Sequence, residues 1–264
     1  MRNRITTPGL FFRFALVLLQ LTVTTVSGRG LVAAPIPFSS IRKTDREIWF
    51  ERDDRSLGIP FTLYSNHIFL GCRIADSKPL AVLLDSGASS SVLNMERAKQ
   101  LGLKLEGSSD YSAVGGPVNG ATIRGVCFSL PGARINAQLV GAVSFDAVEH
   151  EAGRSIDGVL GGDFFSHFVV EVDYANGTLS LYAPETYHYS GKGEIIPVTL
   201  DSMTPLVAAQ IQPFNGKPLS ARFEIDTGDG RACELASPFV RGHGLLTGAA
   251  KTIPGPSAIE VGGE

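Results

Sequence analysis

The chain has 264 residues, of which 44% are hydrophobic and 19% charged, so it can bury one large core or two small ones. Its formal net charge of −3 leaves no basic surface of the kind that binds nucleic acid. The five histidines and three cysteines show no metal-ligand spacing, and we expect neither a metal nor another cofactor. Thirty glycines and short apolar runs favour an all-β protein with few short helices.

The N-terminus has the pattern of an export signal. Three arginines lie at or before residue 13, and an apolar stretch follows at 14–26, which is short for a bilayer span of about 20 residues. We expect residues 1–28 to be the signal peptide of an exported protein, periplasmic or extracellular, with a membrane anchor as the alternative. Residues 29–57 are rich in charge and predict a solvated lead-in, from which residues 48–50 (IWF) dock on the domain.

From residue 58 onward, short apolar segments alternate with turn residues, as in a β-rich domain. Asn94 is a good N-cap and predicts a short helix at 95–101. Residues 169–174 and 178–182 alternate in polarity around an Asn-Gly pair, which predicts a β-hairpin. Cys72, Cys127 and Cys233 lie in apolar, strand-like contexts, so we expect buried free thiols; one disulfide remains open as an alternative.

Several short segments recur in the same order about 140 residues apart. Residues 59–63 (IPFTL) return as 196–200 (IPVTL), 78–80 (KPL) as 217–219 (KPL), 84–87 (LDSG) as 225–228 (IDTG), and 114–116 (VGG) as 261–263 (VGG). This pattern predicts a duplicated lobe, complete over 58–185 and partial over 190–264. We expect that the sequence is a fragment or that the protein is truncated, because only Glu264 follows the last segment.

The duplicated segment that carries chemistry places an aspartate, Asp85 or Asp226, directly after an apolar strand. A buried carboxylate is costly unless its charge is compensated. Gly87 and Gly228 allow a sharp turn whose N–H groups face the carboxylate. Ser86 and Thr227 supply hydroxyls that can bond across to the other copy. We therefore expect one such turn to meet another.

Two carboxyl groups that meet near a symmetry axis cannot both ionise, so they share one proton and titrate as a unit. Such a pair can hold a water molecule between them. The ionised carboxylate acts as general base while the protonated carboxyl polarises a substrate carbonyl. This chemistry hydrolyses a peptide bond without a covalent intermediate.

Residues 83–88 (LLDSGA), 114–116 (VGG) and 158–161 (GVLG) together resemble the retropepsin-like aspartyl protease family, and in particular its bacterial exported members. The resemblance implies a retropepsin/pepsin-like acid protease lobe and a peptide or protein substrate. It implies that Asp85 is catalytic, that a flap contains Gly115 and Gly116, and that the catalytic loop is braced by Val159, Leu160 and Gly161.

The partner of Asp85 is open at this point. It is Asp226 if the two lobes of one chain pair, as in the related pepsin-like enzymes, or a second Asp85 if the protein is a homodimer, as in retroviral enzymes. Asp229 follows the second motif where the family usually has Ala or Ser, and an extra carboxylate there predicts repulsion. A catalytically inactive peptide-binding or assembly module with the same fold is the alternative to a protease.

Overall fold

A computed structural model describes residues 14–15, 47–113, 116–213 and 216–247. Within these ranges the chain is mostly β with few short helices, which confirms the predicted class. The strands are β1 Phe14–Ala15, β2 Ile48–Phe50, β3 Arg55–Tyr64, β4 His67–Ile74, β5 Leu80–Leu84, β6 Val92–Asn94, β7 Glu106–Ala113, β8 Gly116–Leu130, β9 Ala133–Val143, β10 Gly158–Leu160, β11 Val169–Asp173, β12 Thr178–Tyr182, β13 Thr199–Asp201, β14 Thr204–Ile211 and β15 Leu219–Glu224. The helices are α1 Met95–Gln100, α2 Asp146–Ala152, α3 Gly162–His167 and α4 Ser237–Gly242.

Twelve strands form one sheet in the order β1, β11, β12, β3, β4, β5, β10, β6, β9, β8, β7; β2 adds to β9, and β4 also pairs with β8. Most neighbours are antiparallel, but β10 runs parallel to β5, with Leu160 opposite Leu84. The other edge of β10 is paired with β6. Strand β10 is therefore held between β5 and β6.

The main sheet has apolar side chains buried on both of its faces. Leu80, Val82 and Leu84 alternate along β5 and point into the larger core. Ala81 and Leu83 face the other way, against a smaller cluster that includes Phe69 and Val159. Apart from Pro205, all buried aliphatic and aromatic side chains of the described residues lie between positions 59 and 181.

A separate three-stranded sheet contains β13, β14 and β15 in that order. In the described part of the chain beyond residue 181, only Pro205 is buried. Strand β15 pairs with β14 on one edge, and no described strand lies on its other edge. The second sheet therefore lacks a core of its own and depends on its contacts with the first. The predicted duplication stays a prediction.

Two local predictions are confirmed. Asn94 caps α1 by accepting hydrogen bonds from the backbone N–H groups of Glu96 and Arg97. The hairpin of β11 and β12 forms, and Gly177 in its turn has φ +64°, a conformation that glycine adopts without strain. Both signals depend on neighbours within a few residues, so the sequence pattern was sufficient.

The cysteine prediction is correct in part. All three thiols are free, and Cys72 is buried, which raises the pKa of its thiol to about 12. Cys127 is half-buried and Cys233 is exposed, so the expectation of burial was wrong for Cys233. The reason is that Cys233 follows the second sheet, where no core exists to cover it.

The predicted signal peptide lies outside the described residues except for β1, and the lead-in is described from residue 47 onward. Within it, β2 pairs with β9, and β3 begins at Arg55. Val114, Gly115 and residues 261–263 also lie outside the described ranges. None of the helices in the described parts is long and apolar enough to cross a bilayer.

The β3–β4 hairpin offers a direct test of where the core lies. Leu70 is 1% exposed and Leu63, on the paired strand, is 50% exposed. We expect Leu70→Ala to lower the free energy of unfolding by about 2–5 kcal/mol, because it removes buried methyl groups and leaves a cavity. Leu63→Ala is the matched control, with an expected change within about 0.5 kcal/mol. Urea denaturation measures both, and equal losses would contradict the assigned core.

Candidate active site

Asp85 lies at the carboxyl end of β5, in the turn that the sequence singled out. Its Oδ1 accepts hydrogen bonds from the backbone N–H groups of Gly87, at 2.9 Å, and Ala88, at 3.0 Å. Its own N–H donates to the carbonyl of Leu160 in β10, at 3.0 Å. The turn that follows Asp85 therefore holds its carboxyl group, and the neighbouring strand holds its backbone.

Asp226 follows β15 in the same way, and its Oδ1 accepts a hydrogen bond from Gly228 N–H at 2.7 Å. Its carboxyl group reaches across to the first turn. A Cβ on Gly87 would lie 2.6 Å from Asp226 Cγ, and a Cβ on Gly228 would overlap the carboxyl group of Asp85. Each carboxyl thus occupies the space that only a glycine in the opposite turn leaves free.

Ser86 and Thr227 join the two turns by four hydrogen bonds. Ser86 N–H donates to Thr227 Oγ1 at 3.0 Å, and Thr227 N–H donates to Ser86 Oγ at 3.0 Å. The two hydroxyls then donate to the strand preceding the opposite turn: Ser86 to the Ile225 carbonyl at 2.6 Å and Thr227 to the Leu84 carbonyl at 2.8 Å. The arrangement is two-fold symmetric in its bonds and lies within one chain.

A family model described as aspartyl protease matches residues 70–164, which contain Asp85 and the β10 strand. This segment belongs to the aspartyl protease family. The chain is also similar to a solved retropepsin-like aspartic protease from Rickettsia conorii, with 15% identity and a TM-score of 0.34, over 49% of this chain and 92% of that one. No curated protein matches the chain. The predicted resemblance is confirmed by the family match.

The family segment also contains the predicted brace. Val159 and Leu160 form β10, and the N–H of Gly161 donates to Ser91 Oγ at 3.0 Å. Ser91 in turn donates through both its N–H and its hydroxyl to Asp163 Oδ1, each at 2.7 Å. Sequence reasoning missed Ser91 and Asp163 because they are 72 residues apart and belong to no repeated segment.

Of the predicted flap, Gly116 begins β8, which pairs with β7 as a hairpin in the family segment. Gly115 lies outside the described residues. The hairpin crosses the smaller apolar cluster, where Tyr111 of β7 packs and donates its hydroxyl to the Ala121 carbonyl at 2.9 Å. This tyrosine holds the two strands of the hairpin together near their base.

The electrostatics of the site are governed by burial. Burial raises the pKa of Asp85 to about 7, and the nearby charge of Asp226 adds to this shift, outweighing the hydrogen bonds from Ala88 and Gly87. Burial and the charge of Asp226 also raise the pKa of Glu224, which sequence reasoning missed. Glu224 is the last residue of β15, two positions before Asp226.

Asp229 does not stand as an uncompensated third charge. Its Oδ1 accepts hydrogen bonds from Arg231, from the backbone N–H at 2.9 Å and from Nε at 2.8 Å. Burial alone would raise the pKa of Asp229, but the bonds and charge of Arg231 outweigh burial and lower it. The negative charge is therefore matched within its own turn. Among the described residues, no three His, Cys, Asp or Glu side chains are grouped as a metal site requires.

The hydroxyl of Thr227 can be removed without changing the size of the side chain. Thr227→Val leaves Ser86 N–H and the buried Leu84 carbonyl without their partner, so we expect the free energy of unfolding to fall by about 1–3 kcal/mol. Thr227→Ser keeps the hydroxyl and is the control. If urea denaturation gives the same stability for both variants, the cross-bonds do not join the turns in solution.

The raised pKa of Asp85 predicts a pH-dependent stability. Between pH 3.8, the ordinary pKa of an aspartate, and about pH 7, Asp85 is protonated more often in the folded state than in the unfolded state. The free energy of unfolding therefore falls as pH rises through this window. Asp85→Asn removes the titrating group and is expected to flatten this slope. Asp146→Asn, on the exposed first turn of α2, should retain it. A slope unchanged in Asp85→Asn would show that other groups cause it.

Proposed function

We propose that the protein is an aspartic endopeptidase whose catalytic pair is Asp85 and Asp226 of the same chain. The observation that carries the proposal is the meeting of the two carboxyl groups over the opposite glycines. The family match over residues 70–164 supports a protease-type function. Because both aspartates come together within one chain, the geometry favours this pairing over one between two Asp85 side chains in a homodimer.

In this reaction the pair carries one proton and holds the attacking water. The ionised carboxylate takes a proton from the water as the new C–O bond forms, and the protonated carboxyl gives its proton to the carbonyl oxygen. The C–N bond then breaks. The leaving nitrogen receives the proton taken from water, and one hydroxyl proton returns to the other carboxylate. The products are a carboxylic acid and an amine, and the pair again holds one proton.

A raised pKa suits this role, because the pair must stay singly protonated to work. Asp85, with its pKa raised to about 7, extends the singly protonated state toward neutral pH. The four bonds between Ser86 and Thr227 keep the pair aligned, so little reorganisation is needed when the charge moves. We therefore expect cleavage in acid and a loss of activity above about pH 7.

The substrate in this proposal is an extended segment of peptide or protein. It would lie between the aspartate turns and the β7–β8 hairpin, where its backbone can pair as an added strand and its apolar side chains can contact the cluster around Phe69 and Tyr111. Residues 1–28 support placing the enzyme outside the cytoplasm, as a periplasmic or extracellular protein or one held at its N-terminus by a membrane anchor.

A catalytically inactive peptide-binding module is the second candidate. The observation that favours it is the unequal support of the aspartates: the Asp85 carboxyl accepts two backbone hydrogen bonds from its own turn and the Asp226 carboxyl one, and no described strand pairs with the outer edge of β15. A pair that is not held closely would bind peptide without cleaving it.

Cleavage assays distinguish the two candidates. With a denatured protein substrate between pH 3 and 7, we expect pepstatin-sensitive cleavage by the wild type and a fall of at least about a hundredfold for Asp85→Asn and for Asp226→Asn. Asp146→Asn, an exposed carboxylate of α2, is the control and should cleave normally. Binding without cleavage by the wild type would identify the module instead.

The same variants test whether the pair is intrachain. If Asp226→Asn cleaves as fast as the wild type while Asp85→Asn is inactive, then two Asp85 side chains must pair between subunits. An intrachain pair predicts that both variants are inactive and that mixing them restores nothing.

A further inference from the structure

The two aspartate turns are supported by different parts of the molecule. The Asp85 turn is held by β10, through the bond of Asp85 N–H to the Leu160 carbonyl at 3.0 Å, and by the start of α3, through the bond of Gly162 N–H to the Ala88 carbonyl at 2.7 Å. On the Asp226 side, no described strand occupies the corresponding edge of β15. The bonds of Thr227 hold the start of the loop of residues 226–231, and its remainder needs a contact other than a strand.

The tip of the β3–β4 hairpin, residues 64–67, contacts that loop directly. Asn66 Nδ2 donates a hydrogen bond to the Gly230 carbonyl at 2.8 Å, across 164 positions of sequence. The backbone at Gly230 also lies close to Ser65 and His67 of the hairpin tip. A Cβ on Gly230 would lie 2.8 Å from the ring carbon Cε1 of His67 and would overlap the carbonyl of Ser65. Only a glycine at 230 allows the tip to approach this far.

The hairpin tip is a firm support because it is fixed within the first sheet. The hydroxyl of Tyr64 donates to the Ala152 carbonyl at the end of α2, at 2.8 Å. The guanidinium of Arg154 lies over the Tyr64 ring at 5.2 Å from its centroid. Ser65 and Asn66 have φ of 48° and 67°, a left-handed pair that sets the sharp turn and directs Asn66 outward to the loop.

The contact has a counterpart on the other side of the site. The tip of the β13–β14 hairpin also has two left-handed residues, Ser202 and Met203, at φ 49° and 73°. It packs against Gly162, where a Cβ would lie 2.7 Å from Met203 Cβ and 2.8 Å from the carbonyl of Ser89. The β13–β14 tip therefore packs against the start of α3, beside the loop that follows Asp85, while the β3–β4 tip packs against the loop that follows Asp226.

We propose that Asn66 is a positioning residue for Asp226, and that its amide, seated on Gly230, supports the second aspartate turn where no described strand does. The inference rests on the proposed function, because positioning matters only if Asp226 shares a proton with Asp85. Gly230 is four residues after Asp226 in the same loop, so a tilt of this loop moves the carboxyl group. A shift of that kind weakens the sharing of the proton and slows the chemical step more than substrate binding.

Asn66→Gly and Ser65→Gly make a matched pair of variants for the test. Both positions are left-handed and both changes loosen the same tip, since glycine accepts either conformation, but only the first removes the amide that reaches Gly230. Gly230→Ala is the reciprocal variant, because its methyl group would push the tip away. Comparable melting temperatures of the two glycine variants show that any difference is local.

Amide hydrogen exchange of the full chain tests the support without relying on activity. We expect residues 228–231 to exchange about three- to tenfold faster in Asn66→Gly than in Ser65→Gly, as the loss of one net hydrogen bond implies. Gly230→Ala should show the same loosening. Equal exchange in Asn66→Gly and Ser65→Gly overturns the proposal, whether or not the protein cleaves peptides.

Cleavage kinetics test the positioning itself. We expect kcat of Asn66→Gly to fall about three- to tenfold with KM nearly unchanged, and the alkaline limb of its pH profile to move to lower pH, because a more distant Asp226 raises the pKa of Asp85 less. An unshifted pH profile overturns the proposal. If the two glycine variants differ in exchange but the wild type cleaves no substrate, the proposed endopeptidase is overturned and the support of the loop by Asn66 still stands.

Discussion

Two ionised carboxyl groups in a weakly hydrated space repel each other, and the residues around Asp85 and Asp226 reduce the free-energy cost of bringing them together. Burial, together with the nearby charge of Asp226, raises the pKa of Asp85 to about 7, which favours a protonated Asp85 over a second negative charge beside Asp226. Glycines at 87 and 228 leave the space that the opposite carboxyl occupies. The backbone N–H groups of each turn stabilise the charge that remains. These three conditions must hold together, because removing any one of them either separates the pair or leaves it with too much charge.

The two sides of this pair are of unequal strength. The Asp85 side belongs to a twelve-stranded sheet with apolar clusters on both faces, while the Asp226 side belongs to three strands that bury only Pro205 among their described residues. The second sheet therefore takes its order from the first. The contacts between the two sheets include the hydroxyl bonds of Ser86 and Thr227 and those of the two hairpin tips. The site is only as rigid as these contacts allow, so the proposed catalysis depends on them as well as on the aspartates.

Reading the sequence was most successful where the signal is local or repeated. The turns at Asp85 and Asp226, the Asn94 cap and the Gly177 hairpin each follow from a few adjacent residues. The contacts that no sequence pattern predicted join residues that lie far apart in the chain. Ser91 bonds to Asp163, and Asn66 bonds to Gly230, yet nothing near either residue marks it. The exposure of Cys233 was missed for a similar reason, since its apolar neighbours say nothing about whether a core lies beneath them.

The sequence alone determined that this is a β-rich chain with two strand-end aspartates, each in a turn that only glycine and a small hydroxyl residue permit, because backbone conformation and side-chain chemistry are properties of neighbouring residues. The tertiary structure decided that the two turns meet within one chain, and that one turn has a strand beside it while the other has a hairpin tip. These are matters of distance between segments more than 100 residues apart in most cases. Such distances depend on how all the strands pack at once, and no short stretch of sequence contains that information.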